Sequence, residues 1–251
     1  MEGMDGHGWV SGSEEQVAEQ AAAFITAEAC RAVAARGCFS LVLAGGTTPR
    51  RLYELLAGRA RETVGATLPW RQTFLFQGDE RYVPSTHPDS NYGMARETLL
   101  MHIGIPPQQI VRMPVDSGDA TEDARRYESM LRDVFRKPGW RSERGFPVFD
   151  LVMLGLGDDG HTASLFPGNR EALEEDVRWT IPVDAPDARP PGSRLTMTLP
   201  VINNAESAMF LVPSGRYGLA WSIHTGQRPD LPAGMVRPRS GKLFWFVAGR
   251  K

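Results

Sequence analysis

Two cysteines, Cys30 and Cys38, are all that the 251 residues contain, and that scarcity excludes a scaffold built on disulfides. A fold of this size has no need of a single short-loop bridge, so a reducing compartment is the simpler reading. Long hydrophobic runs are lacking too. No stretch approaches the roughly 18 consecutive apolar residues of a membrane-spanning helix. The opening MEGMDGHGWVSGSEEQ has no apolar segment fit for a signal peptide. Cytoplasmic is therefore the expected location. Excess charge is missing as well: at a net charge of -2, no global field steers the chain to nucleic acid or an anionic membrane. A small anionic ligand still needs only a few local donors. There is no internal repeat, and the cysteines and five histidines show no zinc-like pairing.

What remains is the composition of a globular α/β protein, 41% apolar and 23% charged. Residues 14–36 place Val17, Ala21, Ile25 and Ala29 near one helical face, with Gly37 as the stop. FSLVLA (39–44), TFLFQ (73–77), IVRMPV (110–115), FDLVMLG (149–155), LTMTL (195–199), SAMFLV (207–212) and KLFWFV (242–247) read as strands. Helices are expected after Pro49, near 91–101, over 120–136 and over 214–224. FDLVMLG has no polar alternation, as a parallel strand covered on both faces should. Strands spaced by helices predict a doubly wound, mostly parallel sheet with helices on both faces. Residues 14–251 are expected to form one domain, with 1–13 as a flexible tail. Pro182, Pro186, Pro190 and Pro191 interrupt the pattern near 178–193, a segment expected at the mouth of a cleft, with TIPV at most a short or edge strand.

Ligands of open α/β sheets gather beyond the carboxyl ends of the strands. Three polar, glycine-containing segments fall there. In LVLAGGTTPRRL, Gly45 and Gly46 permit close backbone approach, Thr47 and Thr48 add hydroxyls, and a helix begins near Pro49. That is a phosphate cradle, or else a tight turn with an ordinary cap. It matches neither the nucleotide P-loop nor the GxGxxG spacing. Gly78-Asp79-Glu80-Arg81 puts two acids and a guanidinium after a strand, for phosphate pairing or for a local salt bridge. In GLGDDGHTASLFP, Asp159 lies two residues before His161, at a turn expected to lead into a helix. A carboxylate so near can hold the imidazole's neutral tautomer ready as a base; a helix cap is the other reading. Ser164 lacks the GxSxG nucleophile elbow, so water is the simpler nucleophile. Arg194 opens the strand after the proline-rich segment, within reach of a cleft.

The sequence resembles the 6-phosphogluconolactonase family. The likeness is carried by LVLAGGTTPRRLYELL (41–56), FQGDERYVPSTHPDSNYGMARETLL (76–100), LVMLGLGDDGHTASLFPG (151–168) and RLTMTLPVINNAE (194–206). GLGDDGHTASLFPG is the specific motif; GGTTP is not. The resemblance implies a cytoplasmic, monomeric enzyme of the pentose phosphate pathway that opens 6-phosphoglucono-1,5-lactone without metal or cofactor. It implies His161 as general base with Asp159 as its acidic companion, and Arg81 and Arg194 as phosphate ligands. Gly45, Gly46 and Thr47 match the ligand-binding loop, and Asp79 would organise Arg81 and the loop. One departure is Trp245-Phe246-Val247-Ala248, with alanine where the family commonly has an acid. A related amino-sugar-phosphate deaminase has a glutamate where Phe166 stands here, and no sequence feature favours the other alternative on this scaffold, a sugar-phosphate isomerase. A sugar-phosphate sensor is the non-enzymatic alternative, but no basic recognition helix precedes the domain.

Overall fold

The computed structural model describes residues 7–59, 67–239 and 241–249. In chain order the elements are β1 (His7–Gly12), α1 (Glu14–Arg36), β2 (Phe39–Leu43), α2 (Arg50–Arg59), β3 (Thr73–Gln77), β4 (Asp79–Arg81), α3 (Asn91–Thr98), β5 (Ile110–Val111) and α4 (Ala120–Phe135). There follow β6 (Ser142–Glu143), β7 (Phe146–Pro147), β8 (Leu151–Gly155), α5 (Arg170–Leu173), β9 (Thr180–Ala185), β10 (Gly192–Met197), α6 (Leu199–Asn203), β11 (Ser207–Val212), α7 (Tyr217–His224) and β12 (Lys242–Ala248).

Seven strands form one sheet in the order β1-β12-β11-β8-β2-β3-β5, and every neighbouring pair is parallel. The helices cover both faces. On one side α1 and α2 pack over Phe39, Leu41 and Leu75; on the other, Tyr127 and Leu131 of α4 join Val42, Phe76 and Val152. This is the doubly wound fold expected from the apolar, unalternating strands. α1 starts on a Ser13–Gln16 capping box and ends at Gly37, whose N–H bonds the Val33 carbonyl. At the amino ends of the central strands, buried Asp150 accepts from the Ser40 N–H and hydroxyl at 2.8 Å and pairs with Arg36. That link joins the starts of β2 and β8.

Several boundaries differ from the sequence reading. The expected tail of 1–13 is shorter, because His7–Gly12 pair with β12 as an edge strand; residues 1–6 lie outside the described part. The alanine at the family's acidic position, Ala248, sits in that same pairing opposite Gly12. The strand over 110–115 shrinks to Ile110–Val111. Met113 instead gives its N–H to the Gln77 side chain at 2.8 Å, and Pro114 has no N–H to give. LTMTL does not join the parallel sheet. Its strand begins at Gly192 and forms a three-stranded antiparallel sheet, β4-β10-β9, that includes the proline-bearing TIPV. Pro182 is tolerated because β9 is an edge. Residues after His161 do not enter a helix directly, since α5 starts only at Arg170.

The chain runs outward from β2 through β3 to β5, then crosses back to β8 on the other side of β2. The carboxyl ends of β2 and β8 therefore flank a topological switch point, where loops part and a crevice opens. Beside it, β4 is held in place by Glu80, which is 1% exposed. Its carboxylate accepts from the N–H groups of Arg81 (2.8 Å), Asn91 (2.7 Å) and Tyr92 (2.8 Å), from the Gln77 amide (2.9 Å) and from the Ser90 hydroxyl (3.2 Å). Burial pushes this carboxyl above its ordinary value, while the donors from Tyr92, Asn91, Gln77 and Arg81 favour the charged form. Past β4, the Tyr82 hydroxyl donates to buried Asp123 at the start of α4, 2.7 Å away. Burial opposes the Asp123 charge too, but Tyr82, Ser117 and Arg126 outweigh it and hold the carboxyl below its ordinary range.

Glu80→Gln replaces two acceptor oxygens by one and sets an NH2 against buried donors. It should lower the free energy of unfolding by about 2–4 kcal/mol, read from urea denaturation. Asp123 has a depressed folded pKa, so its contribution is present above its unfolded value and fades as pH falls through the folded one. Stability should therefore decline below about pH 4. In Asp123→Asn the acid limb should be shallower, with a cost at pH 7 of about 1–3 kcal/mol.

Candidate active site

The crevice at the switch point is a cavity of about 390 Å³. Gly45, Gly46, Thr47, Asp79, Arg81, His161 and Arg194 all line it. The three motifs that the sequence singled out thus meet in one place. Ala188, Arg189 and Pro190 line it as well, so part of the proline-rich segment is indeed at the cleft.

The imidazole rests on a tight loop that follows β8. Gly157 gives its N–H to the His161 carbonyl at 2.8 Å. A Cβ on Gly157 would come within 2.1 Å of His161 Nδ1, so only glycine leaves room for the ring. Asp159 Oδ1 accepts from the His161 backbone N–H at 3.0 Å and lies 2.6 Å from Nδ1. A proton on Nδ1 satisfies that carboxylate and leaves Nε2 with its lone pair. Arg216 braces the loop from outside, donating from Nε to Asp158 Oδ1 (2.5 Å) and from Nη1 to the Leu156 carbonyl (2.7 Å). The hydrogen bond from Arg216 holds the Asp158 carboxyl below its ordinary range.

Across the cleft stand two cations. Arg81 on β4 and Arg194 on β10 are directly opposed in the antiparallel register, an arrangement in which like charges repel. Arg81 donates from Nη1 to the Asp89 carbonyl at 2.5 Å, and Arg194 from Nη2 to the Pro190 carbonyl at 2.6 Å. Each keeps a buried Nε without a hydrogen-bond partner. Burial makes the Arg194 guanidinium less basic than usual; Asp79 counters this and Arg81 adds to it. A buried guanidinium at Arg194 and a half-buried one at Arg81, opposed across two paired strands, have the donor geometry that suits an anion with several acceptor oxygens.

Asp79 was expected to organise Arg81 and the loop; its hydrogen bonds go to neighbouring segments and not to Arg81. Its carboxylate accepts from the Ser164 hydroxyl at 2.7 Å and from the Asn91 amide at 3.3 Å. Glu80 and the Asp89 carbonyl hold Arg81 instead. The glycine loop differs as well. A Cβ on Gly45 would lie 2.0 Å from the Asn91 side chain, so Gly45 makes room for Asn91 rather than for a ligand. Asn91 in turn accepts from the Gly46 N–H at 3.3 Å, and Gly46 has φ +82°. Thr47 is exposed at the rim. Among the described residues, no group of three or more His, Cys, Asp or Glu side chains is arranged to hold a metal ion, and no helix is long and apolar enough to cross a membrane. The sequence reading named Glu80 only as part of a charged trio and missed Asn91, Gly157 and Arg216; of these three, Asn91 carried a signal, as part of a Ser90-Asn91 helix cap.

Comparisons with known proteins bear on the family and the fold. A family model described as glucosamine-6-phosphate isomerases/6-phosphogluconolactonase matches residues 12–245. The chain is similar to a 6-phosphogluconolactonase of Synechocystis, with 41% identity over 91% of this chain and 90% of that one. It is also similar to the human 6-phosphogluconolactonase, with 37% identity over 94% and 88%. Among solved structures, 6-phosphogluconolactonase from Trypanosoma cruzi superposes with a TM-score of 0.82 at 28% identity, covering 99% of this chain and 97% of that one. A monomeric glucosamine-6-phosphate deaminase shares the fold alone, with a TM-score of 0.76 at 19% identity and 97% of each chain covered. With its model matched from the end of β1 into β12, the chain belongs to the glucosamine-6-phosphate isomerase/6-phosphogluconolactonase family.

Proposed function

We propose that the protein hydrolyses 6-phosphoglucono-1,5-lactone to 6-phosphogluconate, a step of the pentose phosphate pathway, with water as nucleophile and His161 as general base. One observation carries the reading: a base oriented through Nδ1 by Asp159 shares a cleft with two opposed arginines whose Nε groups lack partners. The arginines suit a phosphate, and the imidazole suits the deprotonation of a water. The names of the relatives at 41% and 37% identity support the same substrate class.

In this mechanism Arg81 and Arg194 hold the phosphate, and the lactone carbonyl carbon lies toward His161. Neutral Nε2 takes a proton from water as its oxygen bonds to C1, and the carbonyl oxygen becomes the oxyanion of a tetrahedral intermediate. Collapse reforms the C=O bond and breaks the bond from C1 to the ring oxygen. The imidazolium returns its proton to that departing oxygen, which restores neutral His161. The carboxylic acid product loses its proton to solvent at neutral pH. Asp159 keeps Nδ1 protonated throughout and stabilises the transient cation. Phe166, beside His161, has no exchangeable proton, so an amino-sugar deamination would lack a partner acid there. A monomeric enzyme of the reducing cytoplasm belongs to the same proposal, and both cysteines are free thiols.

Two sets of variants test the assignment. Arg81→Ala and Arg194→Ala should each weaken 6-phosphogluconate binding in calorimetry by about 10- to 100-fold, the loss of a charge-assisted bond. Equal affinity of the parent for gluconate and 6-phosphogluconate would remove the phosphate site. His161→Ala should lose about 10²–10⁴-fold in kcat on fresh lactone, after subtraction of spontaneous hydrolysis, while product binding persists. Near-parental turnover by the folded variant would exclude His161 as the base. No turnover by the parent would exclude the lactonase reading.

A further inference from the structure

Phe166 touches both halves of the cleft chemistry. Its ring centroid lies 4.7 Å from that of His161, at an interplanar angle of 44°. The Arg194 guanidinium carbon lies over the same ring, 5.4 Å from the centroid. An aromatic face carries negative quadrupolar charge and attracts a cation, most strongly where water is excluded. Arg194 is only 4% exposed and its Nε is without a partner. The ring therefore supplies part of the attraction that water would otherwise give this guanidinium.

The backbone is built to bring that ring back against the imidazole. A tight reversal is closed by the Leu165 N–H on the Thr162 carbonyl at 2.9 Å. Within it Ala163 adopts φ +48°, a conformation unfavourable for a residue with a Cβ. Three side-chain bonds hold the turn there. Thr162 Oγ1 donates to the Gly155 carbonyl (2.8 Å), Ser164 Oγ to Asp79 Oδ2 (2.7 Å), and the Ser164 N–H to Thr196 Oγ1 (3.2 Å). Thr196 and Arg194 share β10, and Leu165 is fully buried. The turn that carries Phe166 is thus tied both to the strand of the base and to the strand of the arginine. Strained backbone persists where surrounding contacts over-determine it, and such places cluster at functional sites.

We propose that Phe166 is a positioning residue: its ring sets the separation between the imidazole of His161 and the guanidinium of Arg194, so that a substrate held by its phosphate meets the base at the right distance. The inference rests on the lactone-hydrolase reading above and adds a physical link between binding and turnover. A ring that merely filled space would affect stability alone. A ring that couples the two groups affects each through its own partner.

Double-mutant cycles separate these cases. Phe166→Leu should weaken 6-phosphogluconate binding about three- to tenfold, the range of one cation–π contact, and lower kcat by a similar factor. Phe166→Tyr keeps the ring face and should restore both to within about twofold. In an Arg194→Ala background, Phe166→Leu should no longer change product affinity but should still lower kcat. In a His161→Ala background it should no longer change the residual kcat but should still weaken product binding. Circular dichroism and thermal melting check that each variant is folded. Additive effects in both backgrounds would overturn the coupling, as would equal defects in Phe166→Leu and Phe166→Tyr. If Phe166→Leu does not fold, the Phe166→Tyr variant decides: loss of both binding and turnover overturns the proposal, and retention of both supports it. A parent protein that binds 6-phosphogluconate but does not turn over the lactone overturns the function itself; a parent that turns it over, with uncoupled variants, overturns only the role of Phe166.

Discussion

Glu80 sits where three chain segments meet, and its carboxylate is the acceptor they share. One oxygen takes the N–H groups of Arg81 and Asn91; the other takes those of Tyr92, the Gln77 amide and the Ser90 hydroxyl. The first segment is the strand that bears Arg81, the second the carboxyl end of β3, and the third the amino end of α3. An anion at a helix start meets unpaired N–H groups and the positive end of the helix dipole. Without this acceptor, several donors would be buried unpaired, and each carries a penalty of about 1–3 kcal/mol. The position of Arg81 in the cleft follows from this, because its own backbone N–H is one of those donors. Asn91 follows too, since its N–H is fixed by Glu80 while its side chain reaches Asp79 and the glycine loop.

From Asn91 the order spreads across the crevice. Its side chain fills the space that Gly45 leaves open, and it binds Asp79, which receives the Ser164 hydroxyl. Ser164 belongs to the turn after His161. A chain of contacts therefore links the glycine loop, the GDER strand and the histidine loop, although these lie far apart in sequence. Asp79 and Asn91 in it hold loops together, while Arg81, Arg194 and His161 line the cleft. Division of labour of this kind lets the strand-end loops and the small antiparallel sheet present one rigid site.

The large elements were legible because their patterns are strong. α1 has its capping box and its small apolar face, and β2, β8 and β11 have the mostly apolar runs, without alternation, of doubly covered strands. The antiparallel sheet was not legible. Asp79-Glu80-Arg81 is three charged residues, and nothing in their periodicity says strand; pairing with β10 makes them one. Pro182 argued against TIPV, and edge position resolves that conflict. The edge strand at His7–Gly12 was hidden for a different reason. Its partner β12 stands at the far end of the chain, and no local window contains both.

The cleft was legible in outline for a physical reason. Chemistry requires polar groups at strand ends, where apolar packing would otherwise favour something else, so local misfits mark the site. His161, Asp159, Arg81 and Arg194 were visible as such misfits. Gly45 was misread and Gly157 went unremarked, because sequence shows that a side chain is missing, not what occupies its place. The occupants are Asn91 and the imidazole itself. Phe166 was noticed only as a residue unable to move protons, yet its neighbours give it a positive role. An apolar ring between a base and a cation looks like ordinary core from the sequence. Only the return of the chain through the strained turn at Ala163 reveals that the ring is aimed. The same turn shows why stability and function pull apart here. A left-handed alanine, two opposed guanidinium groups and two Nε atoms without partners each oppose folding, and the bonds of Thr162 and Ser164 hold the alanine's turn in place. In the proposed reading, an anion with several acceptor oxygens would offset the repulsion between the two arginines.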